Sequence, residues 1–225
     1  GTVAPSASAG RSRVYGQWMS MPGWMPGNQI MKNQYFGDIN DYRKYGLLRM
    51  LTGEGQLKTL VCWMLTPDDG RTDGQFTRYL DEPEKWQKYD PDLFDRLQQS
   101  LHVHKCRDVQ EAEISRIIPG ARYFTDIVPD ALPERQDWFG KAYAASVDAD
   151  LVFFDPDNGL EVKSVPKGRR NSSKYLYWDE LETTYADGNS VLIYQHFRRE
   201  RRDTFIRRIG GETSSRTGAA SVHSF

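Results

Sequence analysis

The chain has 225 residues, of which 38% are hydrophobic and 27% charged, and its formal net charge is −1. This size and composition predict a globular protein with one substantial domain. The near balance of charges excludes a global basic field that would attract nucleic acid. The two cysteines, Cys62 and Cys106, form neither a disulfide framework nor a zinc-ligand spacing.

The sequence also predicts the cellular location of the protein. The sequence contains no run of about 18 apolar residues, so we expect no membrane span, and its start lacks the pattern of a signal peptide. A cytoplasmic location fits best. Residues 1–30 show neither helical nor strand periodicity. We therefore expect an unstructured or non-native tail and a natural start at Met31. The alternative is a genuine N-terminal arm in which Trp18 and Trp24 pack on a surface. We expect one α/β domain over 31–225, truncated where a last strand begins at 219–225.

Helical and strand patterns alternate along the domain. The predicted helices cover 41–51, 91–101, 109–118, 134–146, 179–185 and 198–209. The predicted strands cover 57–65, 122–125, 151–154 and 190–194. Alternation of this kind predicts a mostly parallel sheet with helices on both faces, which is a three-layer α/β sandwich.

The end of the third predicted strand is the most informative segment. Its four apolar residues are typical of a strand buried on both faces. They lead into the strand-end turn (residues 155–159), which reads Asp155-Pro156-Asp157-Asn158-Gly159. Polar turns at the carboxyl edge of open α/β sheets bind ligands, and the Asp155 carboxylate with the Pro156 carbonyl would orient an amine for attack on an electrophile. The alternative is that these residues only cap and stabilise the bend.

A second polar segment precedes the first helix. This helix-start cluster (residues 37–45) contains two acids, an amide, two tyrosines and two bases. Asp38, Asn40 or Asp41 would cap the helix, but the cluster holds more polar groups than a cap needs, so a functional reading stays open. The acidic loop 66–74 fits neither a calcium loop nor a dinucleotide-binding glycine pattern. It would bind hydroxyls or an amine of a ligand, or it is a solvated turn.

Further polar groups follow the later strands. His196, in the segment Tyr194-Gln195-His196, would act as a general base or a donor because its unperturbed pKa lies near neutrality. The alternative is a purely structural histidine. A set of basic residues would contact nucleic-acid phosphates, or form a solvated face. These residues are Lys167, Arg169, Arg170, Arg198 and Arg199.

Both polar segments resemble motifs of the SAM-dependent methyltransferases, specifically the ribosomal RNA adenine N6 methyltransferases that act on the large-subunit RNA. The helix-start cluster is similar to the Gly-Asn/Asp-x-x-Asp-x-x-Lys-His pattern of that family, with Tyr45 in place of its histidine. The strand-end turn begins like its Asp-Pro-Pro-Tyr motif, but Asp157 and Asn158 replace the second proline and the aromatic residue.

The resemblance implies a Rossmann-like, SAM methyltransferase-like fold with S-adenosyl-L-methionine (SAM) as cofactor and methyl transfer to an amine, on nucleic acid in that family. The resemblance implies Asp155 as the catalytic residue that receives the target amine, and we expect Pro156 and Asn158 to supplement it. The implied cofactor-binding residues are Asp38, Asp41, Lys44, Trp63 and Asp69. This hypothesis requires the helix-start cluster and the strand-end turn to face each other across one cleft.

Two other hypotheses stay open. In a Mg²⁺-dependent nuclease of the PD-(D/E)xK type, Asp155 or Asp157 and Glu161 would hold the metal, and Lys163 would steady charge. Only three residues separate Asp157 from Glu161, whereas such nucleases usually place the second acid on a neighbouring strand. The third hypothesis is a non-catalytic binding module on the same fold. The sequence also resembles a widespread set of bacterial proteins with the same turn, and that resemblance implies no activity.

Overall fold

The computed structural model describes residues 36–53, 55–67, 76–197 and 199–225. Within these residues one sheet is formed by strands β1 (Thr59–Cys62), β2 (Arg122–Phe124), β3 (Leu151–Phe154) and β4 (Ser190–Ile193). The strands are all parallel, and their order is β2-β1-β3-β4. The register pairs Cys62 with Phe124 and Phe154, and Phe154 with Ile193. The carboxyl ends of all four strands therefore meet at one edge.

Helices cover both faces of this sheet. In the described ranges they are α1 (Ile39–Leu51), α2 (Pro83–Trp86), α3 (Pro91–Gln98), α4 (Gln110–Ile114), α5 (Leu132–Ser146), α6 (Trp178–Ala186) and α7 (Arg202–Thr217). Apolar residues of α1, α3 and α4 pack with Val61 and Phe153 on one face. Residues of α5, α6 and α7 pack with Leu60 and Val152 on the other. The predicted α/β class and parallel sheet are confirmed.

Two predicted capping residues are confirmed, although α1 begins at Ile39, two residues before the predicted start at 41. Asp38 precedes α1, and its Oδ1 accepts hydrogen bonds from the backbone N–H groups of Asn40 and Asp41 at 2.8 and 3.0 Å. Asp90 precedes α3 and accepts the N–H of Leu93 at 3.0 Å. A capping carboxylate satisfies N–H groups that have no partner within the helix. These caps therefore mark where α1 and α3 begin.

Other boundaries differ from the predictions. Helix α4 ends at Ile114, earlier than the expected 118, and α7 starts at Arg202 and extends to Thr217 instead of covering 198–209. The predicted strand at 219–225 is wrong, because this described segment pairs with no strand; its Val222 and Phe225 are 40% and 75% exposed. The predicted tail, 1–30, lies outside the described residues. In the part of the chain that is described, no helix is long and apolar enough to span a membrane.

Candidate functional site

A cavity of about 350 Å³ opens at the carboxyl edge of the sheet, beside the ends of β1 and β3. The strand order reverses at this pair, because β2 lies on one side of β1 whereas β3 lies on the other. In open α/β sheets such a reversal leaves a crevice in which ligands bind. The volume lies near the lower end of the range for small-molecule sites, roughly 300–1,000 Å³. Position and size therefore both identify a candidate ligand site.

The cavity brings together segments that are far apart in the sequence. Its lining combines the start of α1, the loop after β1, the strand-end turn and the end of β4. The predicted site residues in this lining are Asp38, Asp41, Lys44, Trp63, Asp155, Pro156 and Asn158. Asp69 lies outside the described residues. The helix-start cluster and the strand-end turn thus share one cleft, as the methyltransferase hypothesis requires, while the roles of these residues stay predictions.

Lys44 connects the helix-start cluster to the strand-end turn. Its Nζ lies 2.6 Å from Asp155 Oδ2 and 2.9 Å from Asp41 Oδ1. The same ammonium lies 4.7 Å from the ring centroid of Tyr194, which follows β4. The side chains of Lys44 and Asp155 are only 15% and 14% exposed, and charges attract more strongly where water is excluded. This ion pair therefore fixes α1 against the end of β3.

Burial and charge act in opposite directions on these groups. Burial raises the pKa of Asp155 to about 6, although the Lys44 ammonium acts to lower it. Burial alone would lower the pKa of Lys44, but the carboxylates of Asp155 and Asp41 raise it above its usual value. Burial also raises the pKa of Asp38. At neutral pH, Lys44 is consequently charged, and Asp155 is a carboxyl that titrates close to neutrality.

Residues of the helix-start cluster both stabilise the start of α1 and line the cavity. Asp38 caps α1 and also lines the cavity. Asp41 accepts hydrogen bonds from the backbone N–H of Gly37 at 3.0 Å and from the Tyr45 hydroxyl at 3.1 Å, and its other oxygen faces Lys44. Because these bonds hold Asp41 in place, the lysine is oriented towards Asp155. The capping and functional readings of this cluster are therefore compatible.

The strand-end turn is held by Gln195, to which the sequence analysis assigns no role. Gln195 Oε1 accepts the backbone N–H of Leu160 at 2.8 Å, and its Nε2 donates to the carbonyl of Asn158 at 3.4 Å. On the other side, the N–H of Asn158 donates to the carbonyl of Lys174 at 2.9 Å. Gly159 lies between them with φ of +92°, and a Cβ there would collide with the Gln195 amide. The sequence around this glutamine indicates no partner for its side chain, so only the structure reveals this contact.

We expect Gly159→Ala to lower the free energy of unfolding by about 2 kcal/mol, because the variant combines an unfavourable positive φ with that collision. Urea denaturation measures the loss. Gly140→Ala is the matched control: this helical glycine has no atom within 4 Å of an added Cβ, and alanine should stabilise the helix by up to ~1 kcal/mol. Equal stability of Gly159→Ala and the unchanged protein would contradict the collision.

The loop after β1 contains a second unusual backbone. Met64 has φ of +48°, which is uncommon for a residue with a side chain, and it is buried where it lines the cavity. Such conformations cost energy and cluster at functional sites. Two residues later, the Thr66 hydroxyl donates to Asp157 Oδ2 at 3.0 Å and ties this loop to the strand-end turn. No feature of the sequence indicated the conformation of Met64.

The four residues of the nuclease hypothesis do not assemble at one place, because only Asp155 and Asp157 line the cavity. Glu161 Oε2 accepts the backbone N–H of Trp178 at 3.0 Å, at the start of α6. Neither Glu161 nor Lys163 belongs to the lining of the cavity. Among the described residues, no group of three or more His, Cys, Asp or Glu side chains is arranged to hold a metal ion. The position of Glu161 thus favours a helix-capping role.

The predicted phosphate-contacting residues have different surroundings. Lys167 is paired with Asp179 at 2.7 Å and with Glu180 at 3.0 Å, so its charge is compensated within the protein. The remaining described members of this set are exposed, namely Arg169, Arg170 and Arg199. Arg198 lies outside the described residues. Contact with nucleic acid therefore stays a prediction for the exposed arginines.

Comparisons with protein-family models, curated proteins and solved structures found no match. Four aspartates and two lysines are among the described lining residues, so the formal charge of these six groups is negative. A positively charged or hydrogen-donating ligand suits this lining better than a phosphate does.

Proposed function

We propose that the protein is a SAM-dependent methyltransferase-like enzyme whose cofactor and acceptor meet in the cavity beside β1 and β3. The ion pair of Lys44 with Asp155, at 2.6 Å, carries the proposal. It joins the helix-start cluster to the strand-end turn, the two segments that resemble methyltransferase motifs. A Rossmann-like, three-layer fold is part of the proposal. It is supported by the strand order β2-β1-β3-β4 and by helices on both faces of the sheet.

The cavity residues fit the charges of SAM. SAM carries a sulfonium and an ammonium, both positive, and one carboxylate. The excess of aspartates over lysines in the described lining suits the two positive groups, and a lysine suits the carboxylate. Asp38, Asp41 and Lys44 would hold the cofactor, with Trp63 and Asp69 contributing from the segment after β1. When bound, SAM supplies an electrophilic methyl group.

The strand-end turn would hold the methyl acceptor. Asp155 and the Pro156 carbonyl would accept hydrogen bonds from the two N–H groups of an amine, which points the nitrogen lone pair at the methyl group. Asn158 would supply a further polar contact. Because Asn158 stands where related motifs carry an aromatic residue, we expect less stacking on a planar acceptor from this turn. The acceptor is therefore proposed only as an amine, with an amine on nucleic acid as one form.

Calorimetry with SAM tests the cofactor site. We expect the unchanged protein to bind SAM and Asp38→Asn to bind it about 10-fold more weakly, a loss of about 1.4 kcal/mol. Asparagine keeps a capping oxygen but loses the negative charge. Asp90→Asn, which changes the α3 cap away from this cavity, should bind like the unchanged protein. If the unchanged protein does not bind SAM, the proposal is wrong.

Transfer is measured separately with tritiated SAM and three acceptors: an adenine-rich single-stranded RNA, an adenine-rich DNA and a free polyamine. Incorporation into any of them supports an amine methyltransferase and identifies the acceptor class. Binding of SAM without transfer to any acceptor would instead favour the non-catalytic binding module. The two measurements therefore separate the cofactor assignment from the assignment of catalysis.

A further inference from the structure

His196 lies beside the ion-paired cluster, at the end of β4, and lines the cavity. Its ring meets the ring of Tyr194 edge-on, with centroids 4.9 Å apart. Tyr194 in turn lies under the ammonium of Lys44 at 4.7 Å. In the described part of the chain, no residue forms a hydrogen bond with the ring nitrogens of His196. The imidazole is thus positioned to contact a ligand bound in the cavity.

Methyl transfer to an amine releases a proton, and the cavity must accept it. Lys44 is already charged, because two carboxylates raise its pKa. The Tyr45 and Tyr194 hydroxyls keep their protons, because burial raises the pKa of both. The Asp155 carboxylate forms an ion pair with Lys44, which disfavours its protonation. Of the other lining carboxylates, Asp38 caps α1 and Asp157 accepts the Thr66 hydroxyl. The imidazole of His196 is accessible from the cavity, and imidazole is the commonest proton acceptor in enzymes.

We propose that His196 is the general base that takes the proton from the acceptor amine. This inference rests on the proposed methyltransferase function. In the balanced step, the lone pair of the amine nitrogen forms the new N–C bond, and the C–S bond of the sulfonium breaks with its electron pair staying on sulfur. Before transfer, both N–H groups face Asp155 and the Pro156 carbonyl. After transfer, the methylated nitrogen turns one N–H from the Pro156 carbonyl towards His196. That N–H bond breaks with its electron pair staying on nitrogen, and the proton goes to an imidazole nitrogen of His196.

The groups around His196 favour its neutral form. Partial burial at the rim of the cavity lowers the pKa of His196, and the positive charge of Lys44 on α1 lowers it further. Asp157 on the strand-end turn acts in the opposite direction but does not outweigh them. Tyr194, on the same strand end, keeps its proton and stays uncharged. At neutral pH, most molecules therefore carry an imidazole that can accept a proton.

Chemical rescue tests this assignment. We expect His196→Ala to bind SAM as tightly as the unchanged protein but to transfer methyl groups about 100-fold more slowly. Added imidazole should restore part of the rate, because His196 lies at the exposed rim of the cavity. His104→Ala, at an exposed histidine away from the cavity, should keep the full rate. A His196→Ala variant with the full rate, or one that imidazole does not rescue, overturns the assignment.

A second measurement does not depend on turnover. NMR titration of the His196 ring in the unchanged protein should give a pKa below the ordinary value of 6.5, and S-adenosylhomocysteine should perturb the His196 signals. A His196 ring that is charged at pH 7 would overturn the assignment. The failures are distinguishable: without SAM binding or transfer by the unchanged protein, both proposals fall, whereas normal transfer by His196→Ala removes only the general base.

Discussion

Replacing Lys44 with methionine is expected to lower the free energy of unfolding by about 3–5 kcal/mol at neutral pH, the usual cost of removing one partner of a buried ion pair. Lys44 is the counter-ion of both Asp41 and Asp155. Without it, two poorly solvated carboxylates lie close together with no positive charge between them. Urea denaturation followed by tryptophan fluorescence measures the loss.

The loss should depend on pH in a defined direction. Burial already raises the folded-state pKa of Asp155 to about 6, above the ordinary value of 3.8, and removal of Lys44 raises it further. A carboxyl with a raised folded-state pKa favours folding when it is protonated, and that contribution is lost as pH rises through the folded-state pKa. Lys44→Met should therefore be less destabilised at pH 5 than at pH 8. A larger loss at pH 5 would contradict the pairing.

Two further variants make the measurement specific. Adding Asp155→Asn to Lys44→Met removes one of the uncompensated charges, and we expect the double variant to regain much of the lost stability. Lys85→Met is the control, because Lys85 forms an exposed ion pair with Glu82, and exposed pairs contribute less than about 1 kcal/mol. If the double variant is no more stable than Lys44→Met, repulsion between the carboxylates is not the cause.

Asp155→Asn alone is expected to leave the fold intact and to reduce methyl transfer about 1,000-fold, the effect of losing one well-placed charged contact in the transition state. Stability should change little, because the variant removes a buried charge and Lys44 keeps its contact with Asp41 at 2.9 Å. The amide is similar in shape but presents one acceptor oxygen and no negative charge. The rate with tritiated SAM, together with an unfolding curve, separates the two effects.

The pH dependence of transfer gives an independent check. Asp155 accepts hydrogen bonds well only as a carboxylate, and burial places its pKa at about 6. We therefore expect the rate to increase as pH rises through about 6 and to be low at pH values below that. His196 also loses its proton as pH rises, so the rate at low pH should depend on two deprotonations. In a plot of log rate against pH, the acid limb should therefore approach a slope of two. In Asp155→Asn and in His196→Ala this slope should be one. An acid limb that is unchanged in Asp155→Asn would contradict the role of this carboxyl.

Local patterns in the sequence are sufficient for much of the fold. Asp90 and Pro91 mark the start of α3, and an unbroken apolar run marks β3 with its observed bounds. These signals work because caps, φ restriction and burial of both strand faces act within a few residues. The end of α7 is harder to predict from the sequence, because the helix continues past Gly210 and Gly211. Contacts of Arg216 with Glu182 and Glu212 accompany the longer helix.

The amino-acid sequence by itself determined the α/β class and the two polar segments, because each rests on neighbouring residues. Only the tertiary structure decided that Lys44 bonds to Asp155, 111 positions away, and that Gln195 holds the strand-end turn. Both contacts depend on β1, β3 and β4 lying side by side in parallel register. Strand order is set by the packing of the whole sheet, so no short stretch of sequence contains it.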